Sequence, residues 1–137
     1  MAEPTINDTM SALAQEAVEF SNRNFGVVLD FSNASIERVE SIAEELYQSI
    51  PSGILNRLFH LSPSEGEIQN ICNIFGAYIG EVFRRSKGGD WANNQEFSAV
   101  GIQHGASWLF PQGKVHDRLR NGSEDNLWTY FCALLES

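Results

Sequence analysis

The chain has 137 residues, a mass of 15.3 kDa and a net charge of −9 from 18 acidic and 9 basic residues. This length predicts one globular domain over residues 1–137 that needs no metal or disulfide to fold, and a hydrophobic fraction of 42% excludes a disordered chain. The acidic balance argues against nucleic acid and anionic membranes as partners, because phosphate binding needs clustered Lys and Arg.

The first part of the chain predicts an amphipathic helix over residues 7–24. Asn7 or Asp8 is expected to cap its start, and Gly26 is expected to end it in the left-handed conformation. The apolar run over residues 26–31 then predicts either a strand or an extended segment packed on a helix.

A second helix is predicted over residues 35–50, with Ser32 and Ser35 marking its start. Its apolar positions recur at helical spacing and should face the core: Ile36, Val39, Ile42, Ala43, Leu46, Tyr47 and Ile50. That leaves four glutamates on the opposite face, which we expect to be solvated and unimportant for folding: Glu37, Glu40, Glu44 and Glu45.

The longest helix is predicted from Ser64 to about Ser86, with Ser64 and Glu67 as a capping box and the glycines at 88–89 as its end. One face is apolar and marks this as the central core helix: Ile68, Ile71, Cys72, Phe75, Ile79, Val82 and Phe83. Residues 54–63, which precede it, are ambiguous and predict at most one turn.

Two glycines on this helix, Gly76 and Gly80, are spaced four apart and each costs about 1 kcal/mol relative to Ala. We expect them to allow a close approach by a neighbouring element. Glu81 and Arg85 have the spacing of a favourable ion pair on the same helix. The purely structural interpretation is a tight helix crossing with a surface ion pair. The functional interpretation is a polar groove formed by Tyr78, Glu81, Arg85 and Trp91.

The last third predicts a hairpin of two strands, residues 97–102 and 106–110, after a segment at 90–92 that is expected to be extended. A short helix over residues 112–120 and a last helix capped by Ser123 follow. The predicted fold class is α+β, with four or five helices around a long central helix and a small antiparallel sheet.

No spacing in the sequence predicts a metal or cofactor site. The three histidines, His60, His104 and His116, include no pair at helical metal-ligand spacing. Cys72 and Cys132 lie in apolar stretches, which predicts buried, unreactive thiols in place of a nucleophile or a zinc site.

Three motifs resemble a family of small bacterial proteins of unknown function. They are the Leu-Asp-Phe-Ser segment at 29–32 with Ser35, the Gly-Ala-Tyr-Ile-Gly-Glu-Val stretch at 76–82 that continues to Trp91, and the Val-x-x-Arg-x-x-Asn-Gly-x-Glu-Asp-Asn stretch at 115–126. The resemblance spans about residues 25–135 and implies a bacterial source and one domain, but no activity. In size and charge such proteins are similar to the immunity proteins encoded beside interbacterial toxins.

The charge is concentrated in the first fifty residues, which hold nine acids and two bases for a net −7, while the remaining residues carry −2. A helix face that carries only negative charge favours binding to a basic protein. The first hypothesis is therefore a cytoplasmic, non-enzymatic binding module that neutralises a toxin or effector. We expect its contact residues to be Glu37, Glu40, Glu44 and Glu45.

Three alternatives stay open. The acidity can serve solubility alone. The chain can be an enzyme or small-ligand binder that uses the groove of Tyr78, Glu81, Arg85 and Trp91. It can also be a structural or scaffold subunit, including a homodimer, that associates through an exposed apolar patch.

Overall fold

The computed structural model describes residues 3–49 and 65–137, and the predicted α+β class is confirmed there. Its elements in chain order are α1 (Ile6–Phe25), α2 (Ser35–Ser49), α3 (Glu65–Lys87), β1 (Asp90–Asn94), β2 (Ala99–His104), β3 (Ser107–Leu109), α4 (Pro111–Asn121), a 3-10 turn (Ser123–Asp125) and α5 (Leu127–Glu136). The three strands form one antiparallel sheet in the order β1-β2-β3.

Helix α3 is the centre of the described structure, as its apolar face predicts. It packs against α1 on one side and against α4 on another. Over residues 71–83 the helix is buried on every side except at Asn73, and the buried side chains include Ile74, Ala77 and Tyr78 beyond the predicted stripe. The predicted cap at Ser64 and the turn over residues 54–63 lie outside the described residues.

The start of α1 differs from the prediction by a few residues. Thr5 is the cap: its Oγ1 accepts from Asp8 N at 3.1 Å, and Asp8 Oδ2 accepts from Thr5 N at 3.0 Å. This reciprocal pair satisfies two backbone donors at once, which Asn7 or Asp8 alone would not do. The end agrees with the prediction, because Gly26 has φ 65° and caps the helix.

The segment between α1 and α2 contains no strand, so the first of the two predicted alternatives is wrong for residues 26–31. Leu29 anchors it in the core at 3% exposure. Helix α2 then begins where predicted: Ser32 Oγ accepts from Ser35 N at 3.2 Å, and Ser35 Oγ donates to Ser32 O at 2.6 Å.

The C-terminal third follows the predicted order with shifted boundaries. The extended segment is β1, which pairs Trp91 with Ile102 of β2. The last helix begins at Leu127, not after Ser123, because Asn126 caps it by accepting from Thr129 N at 2.9 Å. Ser123 opens the 3-10 turn instead.

The two glycines of α3 lie where other elements come closest, as predicted. A Cβ at Gly76 would lie 2.5 Å from Gln112 Cα at the start of α4. A Cβ at Gly80 would overlap the Trp91 ring and lie 2.9 Å from Ile102 Cδ1. The sheet and α4 therefore dock directly on the backbone of α3.

We predict that Gly80→Ala lowers the free energy of unfolding by about 1–3 kcal/mol, because the new Cβ would overlap the buried Trp91 ring and force it to shift. Gly113→Ala in α4 is the matched control. A Cβ there meets nothing within 4 Å, so the same substitution should stabilise by about 0.5–1 kcal/mol through helix propensity. Urea unfolding of both variants checks this, and a Gly80→Ala protein as stable as wild type would contradict the packing.

Candidate functional site

The four glutamates predicted to form one solvated face of α2 divide into two pairs. Glu37 and Glu45 are exposed, as expected. Glu40 and Glu44 are partly buried and bind the guanidinium of Arg118, which has no exposed surface. The expectation of four solvated carboxylates is therefore wrong for Glu40 and Glu44.

Arg118 joins three helices through these carboxylates. Its Nε donates to Glu40 Oε1 at 2.9 Å and its Nη2 donates to Glu40 Oε2 at 2.8 Å, which is a bidentate pair. Nη2 also donates to Glu44 Oε1 at 2.6 Å. Glu40 Oε1 in turn accepts from Leu127 N, the first residue of α5, at 2.9 Å.

This contact favours the charged forms of Arg118 and Glu44. Hydrogen bonds that Arg118 donates to Glu40, with a smaller contribution from Glu44, raise the pKa of Arg118 despite its burial. A hydrogen bond from Arg118, together with one from Gln48, lowers the pKa of the Glu44 carboxyl. Replacing Glu40 or Glu44 by Lys would place a cation against a buried cation, so both carboxylates contribute to the fold.

The predicted Glu81–Arg85 ion pair is wrong, and Arg84 takes its place. Glu81 Oε2 accepts from Arg84 Nη1 at 2.6 Å and from the Trp91 indole Nε1 at 2.9 Å. Glu81 is 4% exposed and points toward β1, the strand that carries Trp91. Arg84 lies on that side of α3 and also donates to Gly89 O at 3.0 Å, whereas Arg85 points to solvent.

Arg85 instead covers Phe31, with its guanidinium carbon 3.8 Å from the ring centroid. Phe31 has φ 62°, which is costly for a bulky residue. Its N–H donates to the Tyr78 hydroxyl at 2.8 Å, and that hydroxyl lies 2.6 Å from Ser35 Oγ. Burial raises the pKa of Tyr78, so the phenol stays neutral and holds the turn.

The structure does not bring the four predicted groove residues together around a shared opening. Tyr78 is 0% exposed, and Glu81 and Trp91 are each 4% exposed, with their polar atoms in internal hydrogen bonds. Only Arg85 reaches the surface. None of the four lines the cleft described next.

An open cleft of about 820 Å³ lies between four parts of the molecule. They are α1, the first half of α3, α4, and the three strands and turns of residues 90–110, which we call the hairpin. Its lining residues divide by character. The apolar ones are Met10, Leu13, Phe97, Ala99, Val100 and Phe110. The others, which are polar apart from one glycine, are Gln69, Asn73, Gln112, Gly113, His116 and Asp117.

Sequence reasoning missed this cleft because it placed Phe97 inside a strand. Phe97 lies in the turn before β2 and is 62% exposed, one of two large hydrophobic side chains so exposed among the described residues. The available signal was the Asn94-to-Ser98 segment, whose polar residues are typical of a turn. Its pairing with Phe110 depends on the hairpin register and could not be read from the sequence.

The described residues contain no group of three His, Cys, Asp or Glu side chains placed to hold a metal ion. Both cysteines are free. Cys72 is buried, and desolvation raises the pKa of its thiol to about 12, whereas Cys132 is half-buried, less than predicted. Among the described helices, none combines the length and the apolar character needed to cross a bilayer.

Comparison with protein-family models, with curated proteins and with solved structures found no match for this chain. The resemblance to a bacterial family therefore stays a prediction that rests on the three motifs. In the structure, two of these motifs meet, since Tyr78 of the second motif binds Phe31 and Ser35 of the first.

We predict that Glu40→Gln lowers the free energy of unfolding by about 3 kcal/mol, because it leaves the buried Arg118 without its bidentate carboxylate. Glu37→Gln, one helical turn earlier and exposed, is the matched control and should change it by less than about 0.5 kcal/mol. Denaturant unfolding measures both. Equal effects of the two substitutions would mean that Glu40 is only another solvated acid.

Proposed function

We propose that this chain is a cytoplasmic, non-enzymatic bacterial protein-binding module that receives a basic protein partner on the exposed acids of α2. In this role it would act as an immunity protein toward a toxin or effector. The observation that carries the proposal is the imbalance between basic side chains already engaged within the protein and acidic side chains left on its surface.

Most of the described basic side chains make contacts inside the molecule. Arg38 donates to Val28 O at 3.0 Å, and Lys114 lies 2.8 Å from Asp125 Oδ1. Arg84 binds Glu81, Arg85 covers Phe31, and Arg118 is buried between Glu40 and Glu44.

Among the residues that the structure describes, none makes such a contact with the exposed acids of α2. Within the described residues, no ion pair or hydrogen bond involves the carboxylates of Glu37 and Glu45. Glu44 adds to the same face, because its side chain is 42% exposed although one oxygen binds Arg118. The partner-binding set of the sequence analysis thus becomes Glu37 and Glu45 with Glu44 beside them, while Glu40 serves the fold.

Such a face favours association with a basic protein for a general reason. Unpaired surface carboxylates create a negative potential that steers a cationic partner and raises the association rate, mainly at low salt. The alternative groove has less support, because Tyr78, Glu81 and Trp91 are buried in internal hydrogen bonds. Solubility alone remains the competing explanation of the acidity, and it predicts no partner that responds to the position of the charges.

The test begins with crosslinking in the native bacterium and identification of the retained protein. We then predict that Glu37→Lys with Glu45→Lys slows association with that protein by about tenfold at low salt, and less at high salt. Glu16→Lys with Glu19→Lys on α1 makes the same change in net charge at exposed positions and should slow it by less than about threefold. Surface plasmon resonance at two salt concentrations measures both rates.

Equal slowing by the two double variants would mean that only net charge matters and that α2 is not the contact face. The immunity role has its own test in the same system. Expression of the captured partner alone should arrest growth, and co-expression with this chain should restore it. A partner that is harmless when expressed alone would contradict the immunity role while leaving binding intact.

A further inference from the structure

The cleft between α1, α3, α4 and the hairpin has a chemistry of its own, separate from the acidic face of α2. We propose that it binds a small organic cation with a flat apolar body. This inference goes beyond the proposed protein partner and does not depend on it, since the cleft residues and the exposed acids of α2 are different sets.

One wall of the cleft suits a flat apolar group. Phe97 and Phe110 both line it, with ring centroids 5.3 Å apart and planes at 66°. Trp108 stacks on Phe110, with ring centroids 6.1 Å apart and planes at 12°, which supports that ring. Met10 and Leu13 of α1 add apolar side chains to the lining.

This wall is held in position before any ligand arrives. Asn94 Oδ1 accepts from Phe97 N at 3.0 Å, and Ser98 has φ 51°, so the turn that presents Phe97 has a defined conformation. Gly101 leaves the space that Phe110 occupies, because a Cβ there would lie 2.7 Å from its ring. A preformed rim reduces the ordering cost of binding.

The polar part of the lining offers hydrogen-bond acceptors to a donor. The Gln112 side chain lines the cleft, and within the described part of the chain its buried Oε1 has no hydrogen-bond partner. A buried acceptor of this kind gains stability when an N–H group reaches it. Asp117 adds a carboxylate and His116 an imidazole on the same helix.

The charge of the residues that line the cleft favours a cationic ligand over an anionic one. With histidine counted as neutral, Asp117 is the one charged group among the described lining residues, and none of them is Lys or Arg. Arg118, which follows Asp117 in the chain, is bound by Glu40 and Glu44, and Lys114 is paired with Asp125. Glu96 precedes Phe97 and is exposed, so it adds negative potential at the rim.

The volume of the cleft indicates the size of the ligand. Small-molecule sites have volumes of about 300–1,000 Å³, and the cleft, at about 820 Å³, lies within this range. A two-ring aromatic with an ammonium group meets all three demands: a flat body for the Phe97 wall, N–H donors for Gln112 and positive charge for Asp117.

The experiment compares three probes that share one ring system and differ in charge: tryptamine, tryptophol and indole-3-propionate. Each is titrated into ¹⁵N-labelled protein and followed by amide chemical shifts. We predict that tryptamine binds about fivefold more tightly than tryptophol, and that the anion binds more weakly still. The largest shifts should fall on residues 95–101 and 112–117.

Two variants separate the apolar and the electrostatic contributions. Phe97→Ala should weaken tryptamine and tryptophol alike, by about tenfold, because it removes the stacking surface. Asp117→Asn should abolish the preference for tryptamine over tryptophol and leave tryptophol unchanged. The controls are Val28→Ala, an equally exposed apolar residue elsewhere, and Glu136→Gln, an exposed carboxylate on α5, and neither should alter binding.

Three outcomes would overturn the proposal: no shifts at about 10 mM of any probe, equal binding of cation and anion, or shifts that Phe97→Ala does not reduce. A fourth arm uses the blocked tripeptide Lys-Trp-Lys. If this peptide binds at the cleft while tryptamine does not, the cleft receives a protein segment, and the small-molecule assignment is wrong.

Discussion

The buried guanidinium of Arg118 is the contact on which the arrangement of α2, α4 and α5 depends. It lies on α4, binds two carboxylates of α2, and through Glu40 also fixes the first backbone N–H of α5. Because a charged group without exposed surface is tolerated only when it is paired, α2 must lie where its glutamates reach Arg118. The orientation of the surface that faces away, with Glu37 and Glu45, follows from this constraint.

In the other half of the molecule, close packing on the backbone of α3 positions the elements, and charge does not. Gly76 and Gly80 let α4 and β1 contact the backbone of α3, and the Trp91 ring lies against Gly80. Glu81 then satisfies the indole N–H inside that contact at 2.9 Å. The sheet is thereby fixed on α3, and the hairpin that carries Phe97 and Phe110 forms one side of the cleft.

Local patterns in the sequence predicted the helices, their order and the small sheet, because apolar periodicity and glycine ends are properties of short segments. They did not predict contacts between distant residues. Glu40 is predicted to be solvated because its partner Arg118 lies 78 positions away in the chain. Arg85 is predicted to pair with Glu81 because no local pattern indicates that Glu81 faces Trp91 and Arg84. The cleft was missed for the same reason, since it combines α1, α3, α4 and the hairpin.

The central claim is that Glu40 and Arg118 act as one unit, which removes Glu40 from the binding face of α2. A double-mutant cycle with Glu40→Leu and Arg118→Met tests it most directly, with the free energy of unfolding as the readout. The account predicts that each single substitution is costly and that the double variant regains at least about 2 kcal/mol relative to their sum. Losses that add within about 0.5 kcal/mol would contradict it.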